Sequence, residues 1–336
     1  MTAESSAPSV SAGTPTAERN RSTATIVLVG PRSEEERTRV QEVAPTADIV
    51  FADALADVPN DVLARAAVIA GSVPESRFSD AGALEWVHTW AAGPNADLHP
   101  AMLASDVILT SSVGNGAIPL AEHAMMLALI LNRDYPRWAR AQAAHRWDRF
   151  THAELAGSTM GILGVGHSGA DLAQKAHAFH MRVLGLRRNP DRSVDAVDEM
   201  LGLDGLDRLL TESDVLVVTA PYTDATRGLL GERELRLMKP TATLIVFSRG
   251  GIVDDDALLR ALSEGWIAGA GLDAHANEPL PSDSPYWDLP NVVVTPHNGA
   301  TTARTADRGF EVFLKNLGRW MAGSSLVNVV DKRAGY

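Results

Sequence analysis

A glycine-rich turn near the middle of the chain joins a predicted strand, residues 159–163, to a predicted helix, residues 170–179. It reads Gly164-Val165-Gly166-His167-Ser168-Gly169. Gly164 permits a tight turn, Gly166 lets the backbone approach a pyrophosphate, and Gly169 allows the helix to pack closely on the strand. In this context the spacing predicts a dinucleotide-binding turn. The alternative is an ordinary glycine-rich connector.

Two arginines, Arg187 and Arg188, follow the next predicted strand, residues 182–186. In NAD-binding versions of the turn, an acidic residue at this place accepts hydrogen bonds from the adenosine ribose hydroxyls. A carboxylate would repel a 2′-phosphate, whereas paired guanidinium groups bind it with charge-assisted hydrogen bonds. We therefore expect NADP(H) to be preferred, with NAD(H) still possible. The alternative is that both arginines form an ordinary solvated edge.

The elements that position these residues alternate along the chain, with short β-rich runs separated by amphipathic segments from residue 24 onward. The first unit has predicted strands at residues 26–29, 67–70, 86–90 and 107–110, and helices such as 34–43 and 61–66. Two helical stretches, 120–133 and 137–147, lead to a second unit with strands at 159–163, 182–186, 215–219, 244–247, 268–272 and 292–295. Its helices are predicted at 170–179, 203–211, 231–238 and 255–264, and a last helix at 301–321.

This alternation predicts an α/β protein with two doubly wound parallel-sheet domains, a flavodoxin-like substrate domain and a Rossmann dinucleotide-binding domain. The predicted boundaries are a disordered tail at 1–22, a substrate domain at 23–118 plus 303–336, and a dinucleotide-binding domain at 119–302. The tail is rich in Ser, Ala, Thr and Pro and lacks an apolar segment, so we do not expect a signal peptide.

The bulk composition argues against several function classes. The 336 residues are 45% hydrophobic, so the chain can bury a large core. Its apolar runs are too short to span a bilayer, and its net charge of -12 disfavours nucleic acid as a partner. The absence of cysteine excludes thiol chemistry, and we find no His/Glu cluster with metal-ligand spacing. We expect a soluble, cytoplasmic protein without a metal.

Six further blocks follow the glycine turn in a characteristic order. They are Pro221-Tyr222-Thr223-Asp224-Ala225-Thr226-Arg227-Gly228, Met238-Lys239-Pro240, Ser248-Arg249-Gly250-Gly251-Ile252-Val253-Asp254, Ala268-Gly269-Ala270-Gly271-Leu272-Asp273, Glu278-Pro279-Leu280-Pro281 and Thr295-Pro296-His297. With these blocks the chain resembles the D-isomer-specific 2-hydroxyacid dehydrogenases, over nearly its whole length from Ala24 and most densely at residues 155–302.

The resemblance implies an active site between the domains, with Arg249, Glu278 and His297 as the catalytic trio. Arg249 would hold the substrate carboxylate and polarise the C2 carbonyl with forked hydrogen bonds. His297 would be the general acid in reduction and the general base in oxidation. Glu278 would orient the imidazole and favour its protonated form.

The resemblance also assigns binding residues. Ala92 and Gly93 match a loop whose backbone amides hold the substrate carboxylate, and Asn115 with Glu122-His123 matches the start of the interdomain helix. The cofactor residues would be Gly166, His167 and Ser168 at the pyrophosphate, Ala220, Pro221 and Thr226 at the adenosine half, and Ser248, Asp273 and Gly299 at the nicotinamide end. His275 stands where the family often has a bulky apolar residue, and it either touches substrate or caps the strand.

The resulting hypothesis is an NADPH-dependent, D-specific reductase of a small 2-oxo acid, with glyoxylate and hydroxypyruvate as first candidates by family analogy. A larger aromatic or branched 2-oxo acid is an alternative within the same class. Val246, Ser168 and Asn298 depart from common family residues, which leaves the substrate open. A dinucleotide-sensing co-repressor is an alternative from another class. The family also implies a homodimer formed through the cofactor domain and residues 138–147.

Overall fold

The structure, a computed structural model, describes residues 21–335. The strands in this range are β1 (Thr25–Val29), β2 (Asp48–Ala52), β3 (Ala66–Ala70), β4 (Trp86–Thr89), β5 (Ile108–Ser111), β6 (Thr159–Leu163), β7 (Arg182–Leu186), β8 (Glu199–Leu201), β9 (Val215–Val218), β10 (Thr243–Val246), β11 (Gly269–Leu272) and β12 (Val292–Val294). The helices are α1 (Glu34–Val43), α2 (Asn60–Arg65), α3 (Glu75–Phe78), α4 (Pro100–Leu103), α5 (Ala117–Asn132), α6 (Tyr135–Ala143), α7 (His167–Ala178), α8 (Leu206–Glu212), α9 (Glu232–Leu237), α10 (Asp255–Ser263) and α11 (Ala303–Met321).

The strands form two parallel sheets, which confirms the predicted fold class. The first sheet has the order β2-β1-β3-β4-β5, the flavodoxin-like order. The second has the order β12-β11-β10-β9-β6-β7-β8, in which the order of strand addition reverses between β6 and β9 as in a Rossmann fold. Every strand pair in both sheets is parallel. The sequences of the central strands are apolar throughout because helices cover both faces.

Helices from distant parts of the chain cover each sheet. In the first domain, α1 and α11 pack on one face, and α2 and α4 lie on the other. In the second domain, α5 and α7 cover one face, and α8, α9 and α10 cover the opposite one. The return of α11 to the first sheet and the packing of α5 on the second support the predicted boundaries at 119 and 303, which stay predictions.

The first residues that the structure describes contact the last helix. Residues 1–20 lie outside the described range, but Arg21 and Ser22, which were assigned to the tail, belong to a short 3-10 turn over Arg21–Thr23. Nη1 of Arg21 donates a hydrogen bond of 2.7 Å to the backbone oxygen of Trp320 in α11, and its guanidinium lies over the Trp320 ring. These contacts join Arg21 to the first domain, and the predicted tail boundary at residue 22 stays a prediction.

The secondary structure differs from the predicted elements at two edge strands and at one helix end. The strands β2 and β8 were not predicted, and both lie at sheet edges, where the apolar signal of a strand is weakest. The second connecting helix ends at Ala143, not at residue 147. Its end is fixed by His145, whose φ of 52° is left-handed, and by a bond from the N–H of Arg146 to the oxygen of Ala141.

Within residues 21–335, no helix is long and apolar enough to cross a membrane. No group of three or more His, Asp or Glu side chains in the same range is arranged to hold a metal ion.

Candidate active site

The predicted site residues of the second domain gather at one edge of its sheet, because parallel strands all end on the same side. The glycine turn follows β6, Ala220 comes shortly after β9, Ser248 follows β10, and Asp273 follows β11. The ends of β6 and β9 flank the point at which the strand order reverses. In doubly wound sheets, dinucleotides bind in the crevice at this point.

The three glycines of the turn have different surroundings. A β-carbon at Gly164 would lie 2.6 Å from the backbone of Ala220, and one at Gly169 would lie 2.9 Å from the carbonyl oxygen of Gly164. A β-carbon at Gly166, in contrast, would have no neighbour within 4 Å. Gly164 and Gly169 are therefore required for packing inside the protein, whereas Gly166 borders open space that a ligand can enter.

Helix α7 begins at this open space with unused hydrogen-bond donors. Among residues 21–335, the backbone N–H groups of His167, Ser168 and Gly169 have no acceptor. The first turn of the helix also contains no acidic residue. Unpaired N–H groups at a helix N-terminus attract anions, so the turn fits a pyrophosphate, which these three residues would hold.

The residues assigned to the adenosine half lie along the same edge. Arg187 directly follows β7 and is partly buried, and its guanidinium has no ion-pair partner among the described residues. Arg188 beside it is exposed. The hydroxyl of Thr226 accepts a hydrogen bond from the N–H of Thr223 at 2.8 Å and donates one to the oxygen of Pro221 at 2.7 Å. Thr226 therefore holds the loop in shape.

His297 and Glu278 form a hydrogen-bonded pair. Nδ1 of His297 donates to the two carboxylate oxygens of Glu278 at 2.9 and 2.8 Å, and Glu278 also accepts from the backbone N–H of His275 at 2.9 Å. Burial favours the neutral form of Glu278, but these hydrogen bonds outweigh it and lower the pKa of its carboxyl. Because Glu278 occupies Nδ1, Nε2 of His297 is the nitrogen left for proton transfer.

Arg249 reaches the first domain. A β-carbon at Gly93 would overlap Nη2 of Arg249, so the guanidinium lies directly against this glycine. Nη1 of Arg249 donates to the oxygen of Ser248 at 2.7 Å, and within residues 21–335 Arg249 makes no ion pair. The backbone N–H groups of Ala92 and Gly93 likewise have no acceptor in that range. A cation and two free amides therefore meet where the family would place the substrate carboxylate.

Asp273 is fully buried, and both of its oxygens are bonded to the segment around His297. Oδ1 accepts from the hydroxyl of Thr295 at 2.6 Å and from the N–H of Asn298 at 2.9 Å, while Oδ2 accepts from the N–H of Gly299 at 2.9 Å. Burial opposes the charge of Asp273, but these hydrogen bonds lower the pKa of its carboxyl below the usual range.

The bonds to Asp273 flank His297, whose backbone has a left-handed φ of 51°. Few residues other than glycine adopt this conformation unless their surroundings enforce it. Asp273, predicted to lie at the nicotinamide end, thus fixes the backbone of the segment that carries His297. The buried hydroxyl of Ser248 is different, because it has no hydrogen-bond partner within the described residues.

Thr295 and His123 support the segment that carries His297, a function that their sequence motifs do not reveal. Nε2 of His123 in α5 donates to the hydroxyl of Thr295 at 3.0 Å, and that hydroxyl donates to Asp273. Thr295 is two residues before His297 in one of the family blocks, a position that could have marked it as structural support. Its partner His123 could not be paired with it from the sequence, because they are 172 residues apart.

Comparisons with known proteins agree with this geometry. Residues 125–299, more than half of the chain, match the family model described as "D-isomer specific 2-hydroxyacid dehydrogenase, NAD binding domain". The chain belongs to this family. It is 34% identical over 284 residues to a glyoxylate reductase from Pyrococcus furiosus, an alignment that covers 81% of this chain and 83% of the relative.

Solved structures of the D-isomer specific 2-hydroxyacid dehydrogenases have the same fold. A member from Xanthobacter autotrophicus Py2, in complex with NADPH and MES, superposes with a TM-score of 0.82 at 28% identity, covering 94% of this chain and 100% of that one. An NADPH-dependent glyoxylate/hydroxypyruvate reductase from Sinorhizobium meliloti, in complex with NADP and sulfate, has a TM-score of 0.80 at 28% identity, with the same two coverages.

Proposed function

We propose that this protein is an NADPH-dependent reductase that converts a small 2-oxo acid into the D-2-hydroxy acid. The observation that carries the proposal is the arrangement of Arg249 against Gly93, with the free N–H groups of Ala92 and Gly93 beside it. The His297–Glu278 pair, which lies in the second domain together with Arg249, supplies a proton donor. An anion-binding group and a proton donor are the two requirements that a 2-oxo acid imposes on the protein.

Each residue of the trio has a defined task in this reaction. NADPH, when bound at the glycine turn, supplies the hydride to C2. Arg249 and the amides of Ala92 and Gly93 bind the carboxylate, and Arg249 also polarises the C2 carbonyl by hydrogen bonding to its oxygen. Nε2 of His297 donates a proton to that oxygen, and Glu278 stabilises the imidazolium from the opposite nitrogen before the transfer.

The assignment of NADPH rests on Arg187 and Arg188. Both follow β7, where the 2′-position of the adenosine ribose lies in a Rossmann fold, and they occupy the sequence position at which NAD-binding versions have an acidic residue. Two of the similar solved structures contain NADPH or NADP. The test is kcat/KM with NADPH and NADH for the wild type and Arg187→Ala/Arg188→Ala. The wild type should favour NADPH and the double variant should lose that preference; a wild-type preference for NADH would contradict the assignment.

We propose glyoxylate and hydroxypyruvate as the substrates to test first, since relatives with these activities in their names match most of the chain. NADPH oxidation should be followed across a panel of 2-oxo acids that includes pyruvate and larger aromatic and branched members. We expect the small acids to have the highest kcat/KM, and Arg249→Ala and His297→Asn to abolish most of the turnover. Full activity in either variant would refute the mechanism, and a preference for large acids would refute the substrate assignment.

We further propose that two copies of the chain form a homodimer through the connector. Several large apolar side chains of α5, α6 and the following loop are exposed, including Trp147 at 90% and Tyr135 at 52%. Exposed aromatic residues of this kind are typical of protein interfaces. Light scattering should give the mass of a dimer, and Trp147→Glu should shift the protein toward the monomer. A wild-type monomer at micromolar concentration would contradict the proposal.

A further inference from the structure

His275 is a buried histidine beside the catalytic pair, and its ring has a defined partner. The residue is 9% exposed, and Nε2 lies 3.0 Å from the backbone oxygen of Thr295. A carbonyl oxygen only accepts hydrogen bonds, so Nε2 must carry a proton and donate it. The ring therefore joins the loop after β11 to the end of β12, two residues before His297.

The backbone of His275 contacts Glu278 and the residue that follows Arg249. Its N–H donates to Oε1 of Glu278 at 2.9 Å. On the other side, a β-carbon at Gly250 would overlap the carbonyl group of His275, so the residue directly after Arg249 packs against this backbone without intervening atoms. The segments carrying Arg249, Glu278 and His297 thus all touch His275.

We propose that His275 is a positioning residue whose ring fixes the relative placement of Glu278 and His297. The proposal rests on the proposed reductase function, because it concerns the efficiency of the proton donor. Any residue at 275 would provide the backbone N–H to Glu278, but only a side chain with a donor at this distance holds the oxygen of Thr295. A bulky apolar ring of similar size would fill the space and leave that oxygen without this bond.

The ring does not act on the substrate directly. Its Nε2 is occupied by the oxygen of Thr295, and the side chain is buried behind the loop that presents Glu278. Its contribution is to restrict the motion of the 295–297 segment relative to residues 275–278. Hydrogen-bond partners that orient metal ligands contribute about 10-fold to 100-fold to activity, and we expect a contribution of the same order here.

Three substitutions distinguish the effect of the hydrogen bond to Thr295 from the effect of side-chain volume. His275→Gln places an amide nitrogen near the position of Nε2 and keeps the donor, whereas His275→Asn places its amide nitrogen too far away to reach Thr295. His275→Phe keeps a ring and loses the donor. We expect kcat for 2-oxo acid reduction to fall by about 10-fold to 100-fold in His275→Phe and His275→Asn, and to be largely retained in His275→Gln. The KM for NADPH should not change in any of them.

A second measurement does not depend on turnover. Hydrogen exchange followed by mass spectrometry should show faster exchange at Asn298 and Gly299 in His275→Phe and His275→Asn than in the wild type and His275→Gln, with thermal unfolding monitored in parallel. Unchanged kcat and exchange in His275→Phe would overturn the proposal. Equal losses in all three variants would also overturn it, because they would show a purely steric role. A wild type that reduces no 2-oxo acid would refute the proposed function, while the exchange data would still test the bond.

Discussion

The two halves of the active site are built in opposite ways. The acid half, residues 273–299, contains two carboxylates whose oxygens are bonded to the chain: Asp273 to Thr295, Asn298 and Gly299, and Glu278 to His297 and the backbone of His275. The anion half comprises Ala92, Gly93 and Arg249, and its donors have almost no acceptors within residues 21–335.

The hydrogen bonds of the acid half are already formed in the folded protein, whereas the donors of the anion half are paired only when a ligand binds. A proton donor has to be held in one orientation before the substrate arrives, and hydrogen bonds already formed in the folded protein do this at no cost during the reaction. An anion site works in the reverse manner, because donors already satisfied by the protein would gain little from binding a carboxylate. The acid half should therefore respond to substitution in kcat, and the anion half mainly in substrate binding.

The largest expected effect is the loss of the proton donor in the acid half. His297→Asn removes Nε2 but retains a side chain that tolerates the left-handed backbone at this position. We expect kcat/KM for the 2-oxo acid to fall by about 10²-fold to 10⁴-fold, the range typical of general acid catalysis, with little change in the Kd of NADPH. Steady-state kinetics and cofactor fluorescence titration measure the two quantities. A loss below tenfold would mean that another group delivers the proton.

Arg249→Lys tests the anion half with its charge retained. Lysine provides a point charge and cannot form the forked hydrogen bonds of a guanidinium, so we expect kcat/KM to fall by about 100-fold. Much of this loss should be a higher KM for the 2-oxo acid. A lysine variant with wild-type kinetics would show that a positive charge suffices and that forked bonding has no importance here.

Asp273→Asn tests how much the negative charge of Asp273 contributes to the free energy of unfolding. The amide cannot accept hydrogen bonds at both positions, so one buried N–H loses its partner and unfolding should require about 2 kcal/mol less. Since folding lowers the pKa of Asp273, its stabilisation is fully present above the unfolded value of 3.8 and disappears as pH falls through the lower folded pKa.

The free energy of unfolding should therefore be measured in urea at several pH values. The difference between wild type and Asp273→Asn should shrink in acid. The exposed control Asp224→Asn should change stability little at any pH, since that side chain is 96% exposed. A difference for Asp273→Asn that does not depend on pH would contradict a role for its charge.

The smallest effect is expected for Gly93→Ala in the anion half. The added methyl group would overlap the end of the flexible Arg249 side chain, which can move away without unfolding the domain. We expect the KM for the 2-oxo acid to rise on the order of 10-fold because the guanidinium is displaced. Gly82→Ala is the matched control, since a β-carbon there meets nothing within 4 Å. Equal kinetics of the two variants would contradict the contact.

The helices and strands differ in how far the sequence predicts them. The fold class and most elements could be predicted because apolar runs such as residues 215–218 are buried on both faces. The strands β2 and β8 were missed, and both lie at a sheet edge with most of their residues only partly buried. The end of α6 depends on the left-handed backbone of His145, and no sequence pattern around that histidine predicts this conformation.

Some features of the site could also be predicted from the sequence, and others could not. The ordered blocks were sufficient to predict that Glu278 and His297 act together, and the structure brings them into contact. The bonds that support them could not be predicted, because His123 and Thr295 meet across two elements and the tautomer of His275 depends on a backbone oxygen 20 residues away. Such contacts follow from the placement of β11, β12 and α5, and not from local sequence.

The most direct test of the central claim is a double-mutant cycle on the catalytic pair, using the wild type, Glu278→Gln, His297→Asn and the double variant. Glu278→Gln alone should lower kcat/KM for the 2-oxo acid by about 10-fold to 100-fold. If Glu278 acts only through His297, the double variant will have the same kcat/KM as His297→Asn. Losses that multiply in the double variant would contradict the account, because they would show that Glu278 contributes without the imidazole it binds.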